Sequence, residues 1–461
     1  MSLECGAKYD RTIGTRVARS RAASHLGRSM RKTALIATVL ILLQISLVAL
    51  VLVQQGTWGG PDTDEAAGVA VAADGSVYVI GTTLSFGAGG RDAFLLKYAS
   101  NGSLVWQRTY GTAPSPTSSA DEFGNAVAVA PDGSVYITGQ YGDGNPFLVK
   151  FDSNGTLIWQ KTFGNGAFSR GVVVASDGSV YVAGGSFNDG VGQGDALLVK
   201  FSPSGALVWA RTWGGPFSDT AHDVAIGTDG GIYIAGDTNS FAANDAFLVK
   251  FNPDGTVAWD RDWGTTNGVT SGQTAAFGVG TGPDGGVYIT GNEFAIGSKK
   301  NIILVKFDGS GNLLWEKIGG PGFGAGLDVA ANADFVYVTG NIVVDAPGAT
   351  GGNAFVARYS PDGKAKDANA WGGNDNESGE AIAVAPDGSV VAAGFAGAPP
   401  YSFAHAAKTV KAPTSVLITP TGSVLPASGT VAAAAGTVGT PNGSQTFAGG
   451  GTDAMLIRVR P

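Results

Sequence analysis

Cysteine is almost absent. Cys5 is the only one in 461 residues, so no intrachain disulfide can form in any compartment. Histidine is nearly as scarce, at His25, His222 and His405, and no His-x-His or His-x3-His spacing occurs. That argues against a zinc or copper centre of the usual kind. No Gly-x-Ser-x-Gly elbow is found, and the glycine-rich run Gly87–Gly90 leads into no helix that could receive a phosphate. Basic residues are outnumbered 29 to 37 by acidic ones, which repels phosphate backbones and excludes a nucleic-acid partner.

What is abundant is glycine, 73 residues of it, spaced in a repeat. Residues 126–164 hold four short apolar runs, AVAVA, SVYITG, PFLVKF and TLIWQKTF, bounded by turn residues such as Pro131-Asp132-Gly133 and Ser153-Asn154-Gly155. Asp-Gly and Asn-Gly between alternating runs mark hairpins, because these residues accept the positive φ that hairpin turns need. The Asp-Gly turn returns at 74, 177, 229, 284 and 387, with a degraded copy at Asn332-Ala333-Asp334. The tryptophan of the fourth run returns at 106, 159, 209, 259 and 315. A glycine closing the second run falls at 81, 139, 184, 236, 291, 340 and 394. Four strands per ~40–50 residues is the period of a β-propeller, in which each repeat is one blade. Seven closing glycines predict an all-β, seven-bladed propeller.

The core Gly124–Gly139 (GNAVAVAPDGSVYITG), the strand Asp245–Phe251 (DAFLVKF) and the following NPDGTVAW resemble the SBBP-type β-propeller repeat proteins of bacteria and archaea. The resemblance extends over nearly all of 57–395 and over Asp453–Val459. It implies a surface or secreted propeller and no shared catalytic site. A second likeness lies in Lys150–Trp159 (KFDSNGTLIW), which looks like the tryptophan-docking segment of the eight-bladed pyrroloquinoline-quinone dehydrogenases. Those enzymes place an adjacent cysteine pair over the cofactor, and this propeller has no cysteine. We therefore expect no cofactor, and tryptophans that pack one blade against the next.

Residues 1–32 carry eight basic residues against Glu4 and Asp10, with no apolar periodicity, and read as a disordered basic tail on the cytoplasmic side. Residues 33–52 follow, uncharged and apolar. Within them the nineteen residues Thr33–Val51, at ~1.5 Å each, span about 28 Å, close to the ~30 Å hydrocarbon core. The basic flank places the propeller outside the cell membrane, on a single transmembrane helix. A cleavable signal peptide, giving a secreted protein, is the rival reading; no small-x-small site follows the run.

The propeller then occupies 53–461. Val53–Gly60 (VQQGTWGG) aligns with Val208–Gly215 (VWARTWGG), which makes it the fourth strand of a blade whose other strands lie at the C-terminus. Ring closure by Trp58 against Met455 and Ile457 follows, and it removes two exposed sheet edges. Residues 395–452 read as an insertion in the last blade. If its echo Ser415–Gly429 formed a real meander, the ring would have eight blades.

Polar residues recur where the third strand begins: Asp92, Asn145, Asp195, Asp245, Asn301, Asn353 and Asp453. Seven such groups could be a metal ring, but Asp and Asn at loop-to-strand junctions commonly bond nearby backbone, and that reading is preferred. Candidates for ligand contact are the residues that break the repeat on the variable-loop face: Arg170, His222, Asp223, Lys299, Lys300, Tyr401 and His405. The sequence-level expectation is a scaffold that binds a protein or glycan on that face without catalysis. The alternative is a propeller enzyme, hydrolase or quinoprotein-like, using the same face.

The topology makes one prediction. The protein should stay in the membrane fraction through a carbonate wash, with the propeller digested by protease added from outside. Release into the medium as a fragment beginning near Gln54 would show a removed signal peptide instead.

Overall fold

In the computed structural model the described residues run from 50 to 460, apart from 89, 113–120, 165, 191, 242–244, 265–272, 296–298, 320–322, 344–351, 373–375, 398–401, 406–422, 427–436 and 440–451. The propeller unit spans Leu52–Arg460. Its first strands touch in succession around a closed ring and so form the innermost layer. Blade one comprises Asp64–Val71, Val77–Thr83, Asp92–Tyr98 and Leu104–Gly111, paired antiparallel in that order. Blades two to six repeat the plan, beginning at Glu122, Ala167, Asp219, Gln273 and Phe323. Blade seven is composite, with the order Ser378–Val384, Val390–Ala396, Asp453–Arg460 and then Val51–Trp58. There are seven blades, not eight. The expected transmembrane segment 33–52 lies outside the described residues except at its end, where Val51 and Leu52 already belong to the closing strand. Among the described residues no helix is long and apolar enough to cross a membrane.

Every first strand carries a one-residue bulge, at Ala67, Asn125, Arg170, His222, Phe277, Leu327 and Glu380. The bulge explains the closing glycines. A Cβ on Gly81, Gly139, Gly184, Gly236, Gly291, Gly340 or Gly394 would fall 1.8 to 2.0 Å from a carbonyl oxygen of the bulged strand. No side chain fits there, so the sequence repeat is a direct consequence of backbone approach.

A clasp on the tight-turn face ties blade to blade. Trp106, Trp159, Trp209, Trp259 and Trp315 each donate their indole N–H to a carbonyl in the next blade's third turn, at 3.0 to 3.3 Å. Lys97, Lys150, Lys200, Lys250 and Lys306 donate to those same carbonyls. Each ammonium also lies over a tyrosine ring, 5.1 to 5.3 Å from its centroid. These tryptophans are half-buried. The deeply buried ones are Trp58, Trp213, Trp263 and Trp371, at the far end of the fourth strand.

Blade joints also collect acids. Gly111 admits Asp92 of blade one and Glu122 of blade two against its α-carbon. Gly214 does the same for Asp195 and Asp219, and Gly59 for Asp453 and Asp64. The first-strand members are held by hydrogen bonds: Asp219 accepts from Thr238 Oγ1, from Ser240 Oγ at 2.6 Å and from Gly215 N at 2.9 Å. Asp92 accepts from the amide of Ala88 in the loop before it. Among the described residues no three His, Cys, Asp or Glu side chains are grouped to hold a metal ion. Blade four adds Asp262, in the place of Thr109, Thr162 and Thr212, beside Asp245. Burial, then the charge of Asp245, pushes the Asp262 carboxyl up to about 8, so this pair holds a proton at neutral pH.

Two predictions follow from these contacts. Trp58 is 1% exposed, lies 4.5 Å from Phe94 of blade one and donates to Gln107 Oε1 at 2.8 Å. Trp58→Ala should cost ~3–5 kcal/mol in urea unfolding, and combining it with Leu456→Ala should cost less than the sum, since both line one cluster. Full additivity would mean the two strands do not share a load. As for Asp262, a folded-state pKa above the unfolded value makes stability fall as pH rises from about 4 through about 8. Asp262→Thr should therefore raise the melting temperature at pH 9 and leave it nearly unchanged at pH 4. An equal effect at both pH values would refute the shared proton.

Candidate functional site

The bulge takes one residue per blade of the innermost strands out of the pairing register, and the seven differ in chemistry. Blades three and four supply the polar sector. Arg170 is exposed, yet enough protein surrounds it that burial lowers its pKa, partly countered by the charge of Asp237. Exposure together with crowding describes a group in a concavity. Its guanidinium lies 5.5 Å from the centroid of Phe168 and, among the described residues, donates no hydrogen bond. His222 Nε2 lies 2.5 Å from Asp237 Oδ1, and its ring meets Phe277 of blade five edge-on at 5.3 Å. Asp237 follows the closing glycine Gly236 and so stands beside the bulge of its own blade, in register with Thr220.

Across the axis, blades seven and one supply Glu380 and Glu65. Burial raises the Glu380 carboxyl, Ser378 lowers it by a hydrogen bond, and the charge of Glu65 raises it again. Blades seven and one thus carry two carboxylates, whereas on blades three and four the Arg170 guanidinium is balanced by Asp237.

His222 and Asp223 are neighbours in sequence and separate in space. Asp223 points between blades, accepting from Val224 N at 2.7 Å and from Val279 N of blade five at 2.9 Å. Asp328 makes the same tie from blade six to Ile382 N of blade seven, at 2.7 Å. Burial pushes the Asp223 carboxyl up to about 7. Burial and the Asp223 charge raise Asp328 as well.

The other candidates do not join this group. Lys299 and Lys300 lie on the hairpin of blade five, where Ala295 pairs with Lys299 and Lys300 bridges to Phe323 of blade six. Tyr401 lies outside the described residues. His405 ends a short fifth strand, Ser402–His405, on the outer edge of blade six. The residues that sequence reasoning missed are Asp237, Glu380 and Phe277. Asp237 and Glu380 had a findable signal, since each stands at a fixed offset from a closing glycine or in the bulge position.

Two family models match parts of the chain: one described as outer membrane protein assembly factor BamB, over residues 146–316, and a beta-propeller domain of unknown function (DUF5122), over 72–104. No curated protein sequence matches. Among solved structures, the polysaccharide lyase Uly1 is similar at 11% identity and a TM-score of 0.43, covering 87% of this chain and 90% of that one. The gluconolactonase XC5397 of Xanthomonas campestris is similar at 12% identity and a TM-score of 0.35, covering 63% and 94%. A glucose dehydrogenase is similar at 13% identity and a TM-score of 0.30, covering 50% and 80%. All three are named for enzyme activities, which stands against the expectation of a chain without catalysis. A site at a propeller axis would draw its groups from blades some fifty residues apart, and so would leave no local motif for the sequence to reveal. Likeness at this level does not say which activity this chain has.

Proposed function

We propose that the propeller binds a small carboxylate-bearing ligand at its axial mouth, on the variable-loop face, and acts on it by acid–base chemistry. The observation that carries this reading is the trio Arg170, His222 and Asp237 in one concavity. Arg170 offers a planar fork of donors that suits a carboxylate, and stacking on Phe168 holds the fork in one plane. Asp237 holds Nε2 of His222, fixing the ring and leaving Nδ1 as the atom to exchange a proton with the ligand. The glutamates opposite exclude a ligand that is anionic at both ends. The membrane-anchored, extracytoplasmic placement belongs to the same proposal, since the basic flank of 33–52 would hold this mouth outside the cytoplasm.

The test uses full-length protein and uronate, aldonate and short uronate-containing oligosaccharides, followed by calorimetry and by turnover. Arg170→Ala should weaken binding or raise KM. His222→Ala should keep binding and lower kcat by ~100-fold or more, the usual worth of a positioned acid–base group. Asp237→Asn should resemble the histidine variant with a shifted pH profile. Turnover and binding indifferent to both Arg170→Ala and His222→Ala would place the site elsewhere.

A further inference from the structure

The tight-turn face holds a second opening, between blades four and five, with a volume of about 280 Å³. Asp229, Tyr233, Asp284, Lys306, Asp308 and Leu314 are among its lining residues. Its origin is a substitution in the repeat. Blades one, two, three and seven follow the Asp-Gly turn with serine (Ser76, Ser134, Ser179 and Ser389), whereas blades four and five have Gly231 and Gly286. In the serine blades the hydroxyl commonly bonds the turn aspartate, as Ser76 Oγ does to Asp74 at 3.0 Å and Ser179 Oγ to Asp177 at 3.0 Å.

Without the serine, a lysine takes the carboxylate. Lys250 Nζ lies 2.5 Å from Asp229, and Lys306 Nζ lies 2.6 Å from Asp284. In blade two, where Ser134 is present, the corresponding Lys150–Asp132 separation is 4.0 Å. The two glycines are necessary for this arrangement. A Cβ at either position would fall 2.4 Å from the lysine Cε. Neither glycine needs a positive φ, so the backbone would accept a serine.

We infer that this opening is a binding site for a neutral sugar ring. Its carboxylates are engaged: Asp229 is paired with Lys250, Asp284 with Lys306, and Asp308 accepts from Ser310 N, Asn312 N and Asn312 Nδ2. A free cation finds its carboxylates already occupied, and an anion meets three of them. A polyol gains from both kinds of group, because carboxylates keep spare acceptor sites for hydroxyls and ammonium groups donate. The side chains of Asp229 and Asp284 remain 49% and 45% exposed, so those acceptors face solvent. Leu314, 53% exposed, offers apolar surface for the C–H face of a pyranose. The volume suits one ring rather than a larger ligand, being just below the ~300 Å³ at which drug-sized pockets begin.

The experiment is calorimetric titration of full-length protein with glucose, galactose, mannose, N-acetylglucosamine and their short oligomers, with glucuronate and glucosamine as charged controls. At least one neutral sugar should bind saturably. Gly231→Ser with Gly286→Ser restores the repeat's own turn, so the protein should melt as the wild type does while affinity falls about tenfold or more. Asp308→Asn, which leaves the opening unfilled, provides a second variant should the serines disturb folding, and it too should weaken binding. Arg170→Ala should change nothing here. The proposal fails if no neutral sugar binds, if glucosamine, or glucuronate in the Arg170→Ala variant, binds better, or if affinity survives the paired serines.

Discussion

The structure depends on one backbone contact, made seven times. Each first strand bulges by one residue, and the carbonyl before the bulge presses on the α-carbon of the closing glycine in the second strand. A bulge bends a strand and increases its twist, which suits an innermost strand that must curve around an axis. Because a glycine absorbs the close approach, the backbone contact does not dictate the side chain of the bulged residue. It can be alanine, asparagine, arginine, histidine, phenylalanine, leucine or glutamate with the same backbone. Structural invariance at one position thus leaves chemical freedom at the next, and that freedom lies on the axis.

The blades are held together on the opposite side of the molecule. The tryptophan and lysine clasp requires a third turn in the following blade, and five joints have the complete pair. At the joint from seven to one, Arg458 replaces the lysine and donates to Ser100 O at 2.5 Å, while Gln54 reaches Gly102 O at 3.0 Å. At the joint from six to seven the partner turn does not exist, because blade seven is built from both ends of the chain. There the sequence departs from the repeat in step: Asp367 stands where tryptophan would, and Arg358 pairs with it at 2.9 Å within blade six. The irregular residues at this joint are therefore a consequence of ring closure and need no functional reading.

Much of this was legible in the chain. The period gave the blade count because glycine is the only residue the bulge contact tolerates, so its recurrence is enforced by geometry. The composite last blade was legible through Trp58, whose surroundings copy those of Trp213: each lies 4.5 Å from a phenylalanine of the next blade's third strand. Residues 395–452 were not legible. The stretch Ser423–Pro426, part of the eight-bladed alternative, pairs with the outer strand of blade three, and Thr437–Gly439 with that of blade one. Edge strands accept any short extended segment through backbone bonds, so composition carries no signal for which edge is used. The site was half legible. Departures from the repeat pointed to Arg170 and His222, whereas Asp237 looked like one more polar residue after a closing glycine until the register of blade four put it beside the imidazole.

The two faces divide the work in a way that the repeat itself enforces. On the turn face every position contributes to a clasp, so a departure such as Gly231 or Gly286 rearranges an ion pair and opens space. On the axial side a departure alters chemistry and leaves the frame intact. The buried acids mark the boundary between these regimes. Asp223 and Asp328 sit one residue beyond the bulge, where blades one, three and five have Gly68, Gly171 and Gly278. Each spends its carboxylate on an amide of the next blade. Both face glycine-bearing blades, and there the backbones themselves are close: a Cβ on Gly278 would lie 2.7 Å from the α-carbon of Asp328, and one on Gly171 3.1 Å from that of Asp223. One residue beyond the bulge, neighbouring blades are coupled through the backbone, whereas at the bulge they meet through side chains, as His222 and Phe277 do, so chemistry can vary there without moving the frame.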